Sequence, residues 1–317
     1  MRTRPARQLS LTDGFLPAAP ANDFLDRLDT LVDWQPIRQA VEAMFSATTG
    51  RLPQPPLCVF KMLLLEHCYG LSDPQCEELV KDRLSWRKFV GLALTDTVPD
   101  ETTLVRFRQR LIEHGLHQRL LALINQQLAA QGLLLKEVTL VDATLVQAAR
   151  RAPNQSNGGC GGDPDADHTV KGGQPHYGYK AHVAADGHST LIRRADLSAA
   201  SVHDSQRFEA VVSGEEKIVI ADKAYASAAR SRWLEARGIG NGIMTRGKRG
   251  WPLSPVMQRI NRLLSSVRCR IEKIFGHWKR SLGYRQVRYV GWARNRLELE
   301  FKCLSWNLKR WVSLSRT

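Results

Sequence analysis

KEVTLVDATLV, residues 136–146, is where the periodicity of this chain changes. It alternates and is rich in β-branched residues, so it reads as a strand. Upstream, from Trp34 to about Gly132, apolar residues recur at helical spacing instead. PPLCVFKMLLLEHCYG (55–70) opens with prolines suited to a first helical turn and stops at Gly70. Ser72 and Asp100 read as N-caps of the next helices, and Gly115 and Gly132 as helix ends. Short helices with tight connections suggest a helical domain with room for a helix-turn-helix.

Downstream, YGYKAHVAAD (177–186), GHSTLIRRADLSA (187–199), KIVIAD (217–222) and NGIMTR (241–246) read as strands. VHDSQRFEAVVSG (202–214) and AYASAARSRWLEARG (224–238) read as helices between the later strands, and a long helix follows. A hairpin meander joined to βαβ crossovers gives an α+β or α/β domain, a mixed five-stranded sheet flanked by helices. The expected organisation is an arm (1–30), a helical DNA-binding or oligomerisation domain (31–134), a sheet domain (135–291) and a basic C-terminal helix (292–317). The Gly-, Asn-, Asp- and Pro-rich stretch 147–177 reads as a long loop inside the sheet domain.

Charge is unevenly placed. Residues 246–317 hold 18 Lys and Arg against Glu272, Glu298 and Glu300, a net +15 that equals the excess of the whole chain. A cationic excess confined to one segment implies a polyanionic partner, most simply nucleic acid. Aromatic residues interleaved there, among them Trp251, Trp278, Tyr284, Trp306 and Trp311, suit either base stacking or a core. No apolar run is long enough for a membrane span, and the N-terminus lacks the apolar segment of a secretory signal. Six cysteines without a C-x-x-C pair fit a reducing cytoplasm rather than a disulfide or zinc framework.

Three acids stand out. Asp142 lies mid-strand among apolar side chains, where an unpaired charge is costly. Asp222 ends an apolar strand just before a helix, a place for either an N-cap or a functional carboxylate. Glu272 sits in VRCRIEKIFGHWKR (267–280), on a stripe with Ser265, Arg268, Phe275 and Lys279. An apolar stripe from Val256 through Ile260, Leu263, Val267, Ile271, Ile274 and Trp278 to Leu282 is expected to bury the helix along its whole length. An Arg–Glu pair at i,i+4 alone contributes only about 0.2–0.5 kcal/mol to a helix face. Three carboxylates brought together, however, repel unless divalent cations neutralise them. Oxygen-only ligation favours Mg²⁺ or Mn²⁺, and two ions can serve in-line attack on a phosphodiester.

The order of these motifs resembles bacterial transposases of the insertion-sequence-5 family. The matching pieces are VPDETTLVRFRQRL, VDATLV, GYKAHVA, VHDS, IADKAYAS and RCRIEKIFGHWK…RYVG, running from about residue 50 to 291. The resemblance implies a ribonuclease-H-like catalytic domain whose Asp-Asp-Glu triad maps onto Asp142, Asp222 and Glu272, the expected catalytic and metal-binding residues. Arg268 and Lys279 match the Arg-x3-Glu-x6-Lys part of a shared signature, while Ser265 stands where that signature has a tyrosine. The implied activity is Mg²⁺- or Mn²⁺-dependent cleavage and strand transfer at terminal inverted repeats, by a homodimer or larger assembly acting on target DNA. Expected DNA contacts are Arg268, Lys279, Lys180, Lys223, Arg246, Lys248, Arg249, Arg106 and Arg108. His182 and His203 are further candidates for the neighbourhood of the scissile phosphate. Rival readings are a structure-specific nuclease or resolvase of the same fold, and a catalytically silent DNA-binding regulator.

Overall fold

The computed structural model of the chain describes residues 22–45, 54–116, 119–153, 161–247 and 252–315. The described residues form two compact units. One comprises those up to Gln127 together with those from Trp311 onward; the other is Leu128–Arg310.

The first unit is helical: α1 (Asp23–Leu31), α2 (Gln35–Glu42), α3 (Pro56–Tyr69), α4 (Asp73–Asp82), α5 (Leu84–Val90), α6 (Glu101–Glu113) and α7 (Leu120–Ala130). Helix α3 is buried from Pro56 to Cys68, because its sequence is apolar all round rather than on one face. Its Lys61 is accommodated by snorkelling: Nζ reaches Asp29 at 2.5 Å and the Phe89 carbonyl at 3.0 Å. Ser72 and Gln75 form the capping box of α4, and Asp100 accepts from Thr103 N at 2.7 Å at the start of α6. Gly70, at φ +72°, ends α3 in the left-handed region, as its position in the sequence requires.

The second unit is built on a sheet of six strands: β1 (Val138–Gln147), β2 (Asp167–Lys171), β3 (Gln174–Asp186), β4 (Ile192–Ala199), β5 (Ile218–Ala221) and β6 (Gly240–Ile243). Along the sheet the order is β2-β3-β1-β5-β6, and β4 also pairs with β3. β1, β3 and β4 are antiparallel neighbours, whereas β5 and β6 run parallel to β1. The parallel pairs need crossovers, supplied by α8 (Phe208–Val211) before β5 and α9 (Ala228–Glu235) before β6. Val141, Ala184, Phe208, Val211, Val219, Ala221, Tyr225 and Leu234 form the core beneath these crossovers.

Three sequence expectations are corrected here. The stretch 147–177 is not one long loop. β1 runs to Gln147, and β2 with the start of β3 makes a ribbon closed by the turn at Gly172 and Gly173. Gly178 is the position where only glycine is admitted, since a Cβ would lie 2.2 Å from the Val146 carbonyl oxygen.

The long helix is also not one buried stripe. It divides into α10 (Pro255–Arg268) and α11 (Glu272–Ser281), joined by a 3₁₀ turn at Cys269–Ile271. Three residues at 120° rather than 100° advance the phase by roughly 60°. The apolar row therefore comes out of register. Val256, Ile260 and Leu263 are 68%, 42% and 61% exposed, while Ile271, Ile274, Trp278 and Leu282 are buried.

Finally, α12 (Trp292–Leu314) is not a free basic helix. Its residues from Asn295 to Leu308 are buried, Lys302 fully. Arg296 pairs with Glu300 at 3.4 Å and Asp196 at 3.9 Å, and Asn307 bonds both backbone groups of Ile192. Trp278, Tyr284, Trp306 and Trp311 are likewise buried, so they belong to the core and not to a stacking surface.

Arg108 is buried on α6 with its guanidinium against Asp73 and 3.6 Å from Glu66, itself 1% exposed. Removing it takes a buried guanidinium away from two acids, one of them interior. Arg108→Ala is expected to lower unfolding free energy by roughly 3–5 kcal/mol, whereas exposed Arg106→Ala changes it by under about 0.5 kcal/mol. Denaturant melts of the two variants check the contrast.

Candidate active site

Parallel pairing of β1 with β5 sets Val141 opposite Ala221. Both side chains enter the core, so the residues that follow, Asp142 and Asp222, alternate to the other face on neighbouring strands. Asp222 occupies the N-cap position of the 3₁₀ turn Lys223–Tyr225, in extended backbone, but its side chain makes no capping bond. Its carboxylate is thus not spent on helix initiation.

Glu272 reaches this place through an arginine. Arg268 donates from Nη1 to Asp142 Oδ2 and from Nη2 to Glu272 Oε1, the latter at 3.3 Å. Asp142 Oδ1 also accepts from the Ala143 amide at 2.8 Å. Burial pushes the Asp142 carboxyl up to about 6, with Arg268 and the Ala143 amide opposing and the Asp222 and Asp204 carboxylates adding to the rise.

The sequence reading missed Asp204. It follows β4 in the VHDS segment, pairs with Lys180 Nζ at 3.0 Å, and raises the titration of both Asp142 and Tyr225. The available signal was positional: like Asp222, it is an acid just beyond a strand that leads into a helix. His182 is buried nearby, 2.8 Å from Ser198 Oγ, and burial lowers it to about 4, so it is neutral at physiological pH. His203 is turned to its own loop, bonding Ser205.

The expected DNA contacts separate by environment. Lys223, Arg246 and Arg106 are exposed and free to meet a partner. Lys279 is half-buried among other cations. Arg108 is consumed by Asp73 and Glu66, and its burial withdraws it from any DNA surface. Lys180 is held by Asp204 and the Val202 carbonyl, and Arg268 by the acids. Lys248 and Arg249 lie outside the described residues.

Among the described residues no three His, Cys, Asp or Glu side chains are gathered closely enough to hold a metal. Glu272 is the outlying member, 59% exposed at its side chain. The donor chemistry nevertheless suits a hard divalent cation: oxygen-only carboxylates, two from matched strand positions. A positive charge is already present among them, since the Arg268 guanidinium lies between Asp142 and Glu272.

A three-stranded antiparallel meander extended by two parallel strands, with one acid within β1 and another directly after β5, is a ribonuclease-H-like arrangement. The comparisons with known families agree. Residues 134–308 match the family described as "Transposase DDE domain", and residues 15–110 match "Transposase domain (DUF772)". The chain belongs to the DDE transposase family. It is also similar to a solved piggyBac transposase synaptic complex with hairpin DNA, at 9% identity and a TM-score of 0.44, over 93% of this chain and 74% of that one. No helix among the described residues is long and apolar enough to cross a membrane.

A carboxyl raised in the folded state stabilises when protonated and loses that contribution on ionising. Asp142 is therefore expected to cost the metal-free protein stability progressively as pH rises from about 4 through about 6. Asp142→Asn removes that slope. Thermal midpoints of both proteins in chelator, between pH 4 and 7.5, read it directly; parallel curves would contradict the assignment.

Proposed function

We propose that the chain is an insertion-sequence transposase that binds the terminal inverted repeats of its element, hydrolyses a strand at each end, and joins the 3′-hydroxyl to target DNA. The observation that carries this reading is the parallel register that ends with Val141 opposite Ala221, so that Asp142 and Asp222 each directly follow a paired position, with Glu272 tied to Asp142 through Arg268. Asp142 and Asp222 would hold Mg²⁺ or Mn²⁺, with Glu272 completing a second position. Bound there, two such ions supply charge neutralisation on both the attacking and the leaving oxygen of an in-line displacement.

The protein's own groups do the rest. Asp142 enters the reaction as an anion, because neutral pH lies above its raised titration. Arg268, once its carboxylates are otherwise neutralised, is close enough to turn toward a phosphate. Lys223, exposed beside Asp222, would be available to the same DNA strand. His182, neutral and hydrogen-bonded to Ser198, adds no charge of its own beside the Lys180–Asp204 pair. Exposed Arg106 and Arg246 contribute to duplex binding, and two ends handled in concert call for a homodimer or larger assembly.

The test is a strand-cleavage and joining assay on DNA carrying the element's ends, in Mg²⁺ or Mn²⁺. Wild-type protein is expected to cut and to join pre-cleaved ends. Asp142→Asn, Asp222→Asn and Glu272→Gln are each expected to fall to background while still retaining the duplex. Undiminished cutting by any of the three would remove that acid from the mechanism. Cutting without joining would identify a nuclease of the same fold instead.

A further inference from the structure

Two short turns meet behind the acids. Asp204 opens the 3₁₀ turn Asp204–Arg207 after β4, and Tyr225 closes the turn Lys223–Tyr225 after β5. The turns pack on one another, and Arg230 of α9 staples them. Its Nη1 donates to the Tyr225 carbonyl and its Nη2 to the Ser205 carbonyl at 2.5 Å. The same guanidinium lies 4.6 Å from the centroid of the Phe208 ring, which stands 6.0 Å from the ring of Tyr225. Tyr225 is thus fully buried and held from several sides.

Nothing in that packing calls for a hydroxyl; a phenylalanine would fill the same place. Yet the Tyr225 hydroxyl is buried with no hydrogen-bond partner among the described residues. A buried donor left unmade is costly, so it needs a reason. Asp204 Oδ1 is likewise buried and lacks a hydrogen bond of good geometry, although Lys180 Nζ stands 3.0 Å away as its ion-pair partner. A donor and an acceptor are therefore both unsatisfied on turns that touch. Burial first, then the Asp204 carboxylate, then those of Asp142 and Asp222, keep the phenol protonated against the opposing Arg230, so it remains a donor.

We propose that Tyr225 and Asp204 are a positioning pair for the metal-binding acids: the Tyr225 hydroxyl donates to Asp204 and holds it as a fourth carboxylate beside Asp142 when a divalent cation is bound. In the metal-free protein the nearest charge to Asp204 is Lys180, and there the carboxylate rests. A cation at Asp142 and Asp222 competes with that lysine. Asp204 can turn from Lys180 without losing its polar partner because Tyr225 offers a donor on the neighbouring turn. An additional negative charge near the ion tightens its binding, as ligand charge does in carboxylate sites generally. The inference rests on the metal-dependent reading above, since it gives these two residues a part in that site.

The experiment follows the thermal midpoint of full-length, chelator-stripped protein as Mn²⁺ alone is added. The wild-type midpoint is expected to rise to a plateau. Tyr225→Phe removes only the hydroxyl. It is expected to leave the midpoint in chelator no lower than wild type, while the half-saturating Mn²⁺ concentration rises about ten-fold. Asp204→Asn is expected to raise that concentration by at least as much. In the double variant it is expected to stay within about two-fold of Asp204→Asn alone, because the hydroxyl acts through the carboxylate.

An unchanged half-saturating concentration in Tyr225→Phe overturns the proposal, as do losses in the two single variants that multiply in the double one. A midpoint for Tyr225→Phe that falls in chelator makes the hydroxyl a bond of the empty fold and overturns it as well. In each of these cases a rising wild-type midpoint leaves the metal site standing. A wild-type midpoint indifferent to both Mn²⁺ and Mg²⁺ overturns the underlying reading together with the pair.

Discussion

Parallel pairing between β1 and β5 is the constraint from which the rest of the catalytic unit follows. Antiparallel neighbours could have been joined by a turn; a parallel neighbour demands a crossover, and α8 fills it. The crossover must cover one face of the sheet, which fixes Val141 and Ala221 as core residues. Their successors are then obliged to face the other way. Two carboxylates at equal height on adjacent strands are thus a product of pairing geometry, before any question of what they bind. A one-residue slip of either strand would turn its acid into the core and its apolar neighbour out of it.

The helix that brings Glu272 answers the electrostatic problem this creates. Asp142, Asp222 and Asp204 lie close enough to raise the titration of Asp142. Arg268 offsets part of that repulsion while linking the strand acid to the helix acid. Lys180 does the same for Asp204 from the antiparallel side of the sheet. The basic character of the C-terminal segment is therefore divided. Some of its charge balances acids within the fold, as Arg268 and Arg296 do, and some is exposed to solvent, as at Arg246.

Much of this was legible in the residues. The change of period at 136–146, the caps Ser72 and Asp100, and the stops at Gly70, Gly115 and Gly132 rest on local chemistry, and local chemistry survives folding. Asp142 and Asp222 could be singled out because a charge in or just after an apolar strand needs a reason. What escaped depended on contacts distant in sequence. Arg108 was expected to contact DNA, yet it is held by acids 35 and 42 residues away. Arg296 is buried with its guanidinium on the Ala195 carbonyl of β4, and Lys302 with its ammonium on the Leu282 carbonyl after α11, contacts that composition does not encode. Asp204 gained its place only when the crossover carried it back beside β1. The single tightened turn at Cys269–Ile271 shifted a predicted stripe, because a change of 20° per residue leaves no mark on an apolar spacing.

That same turn leaves Val256, Ile260 and Leu263 facing water on a chain of net charge +15. Like-charge repulsion keeps such molecules apart at low ionic strength, and it is what salt removes: the screening length falls from about 30 Å at 0.01 M to about 10 Å at 0.1 M. The exposed aliphatic row then meets its neighbours with less opposition. Ionic strength consequently governs colloidal behaviour in the direction opposite to most basic proteins that are salted into solution off nucleic acid. Concentrating the protein favours dilute buffer, the regime in which it also holds DNA most tightly.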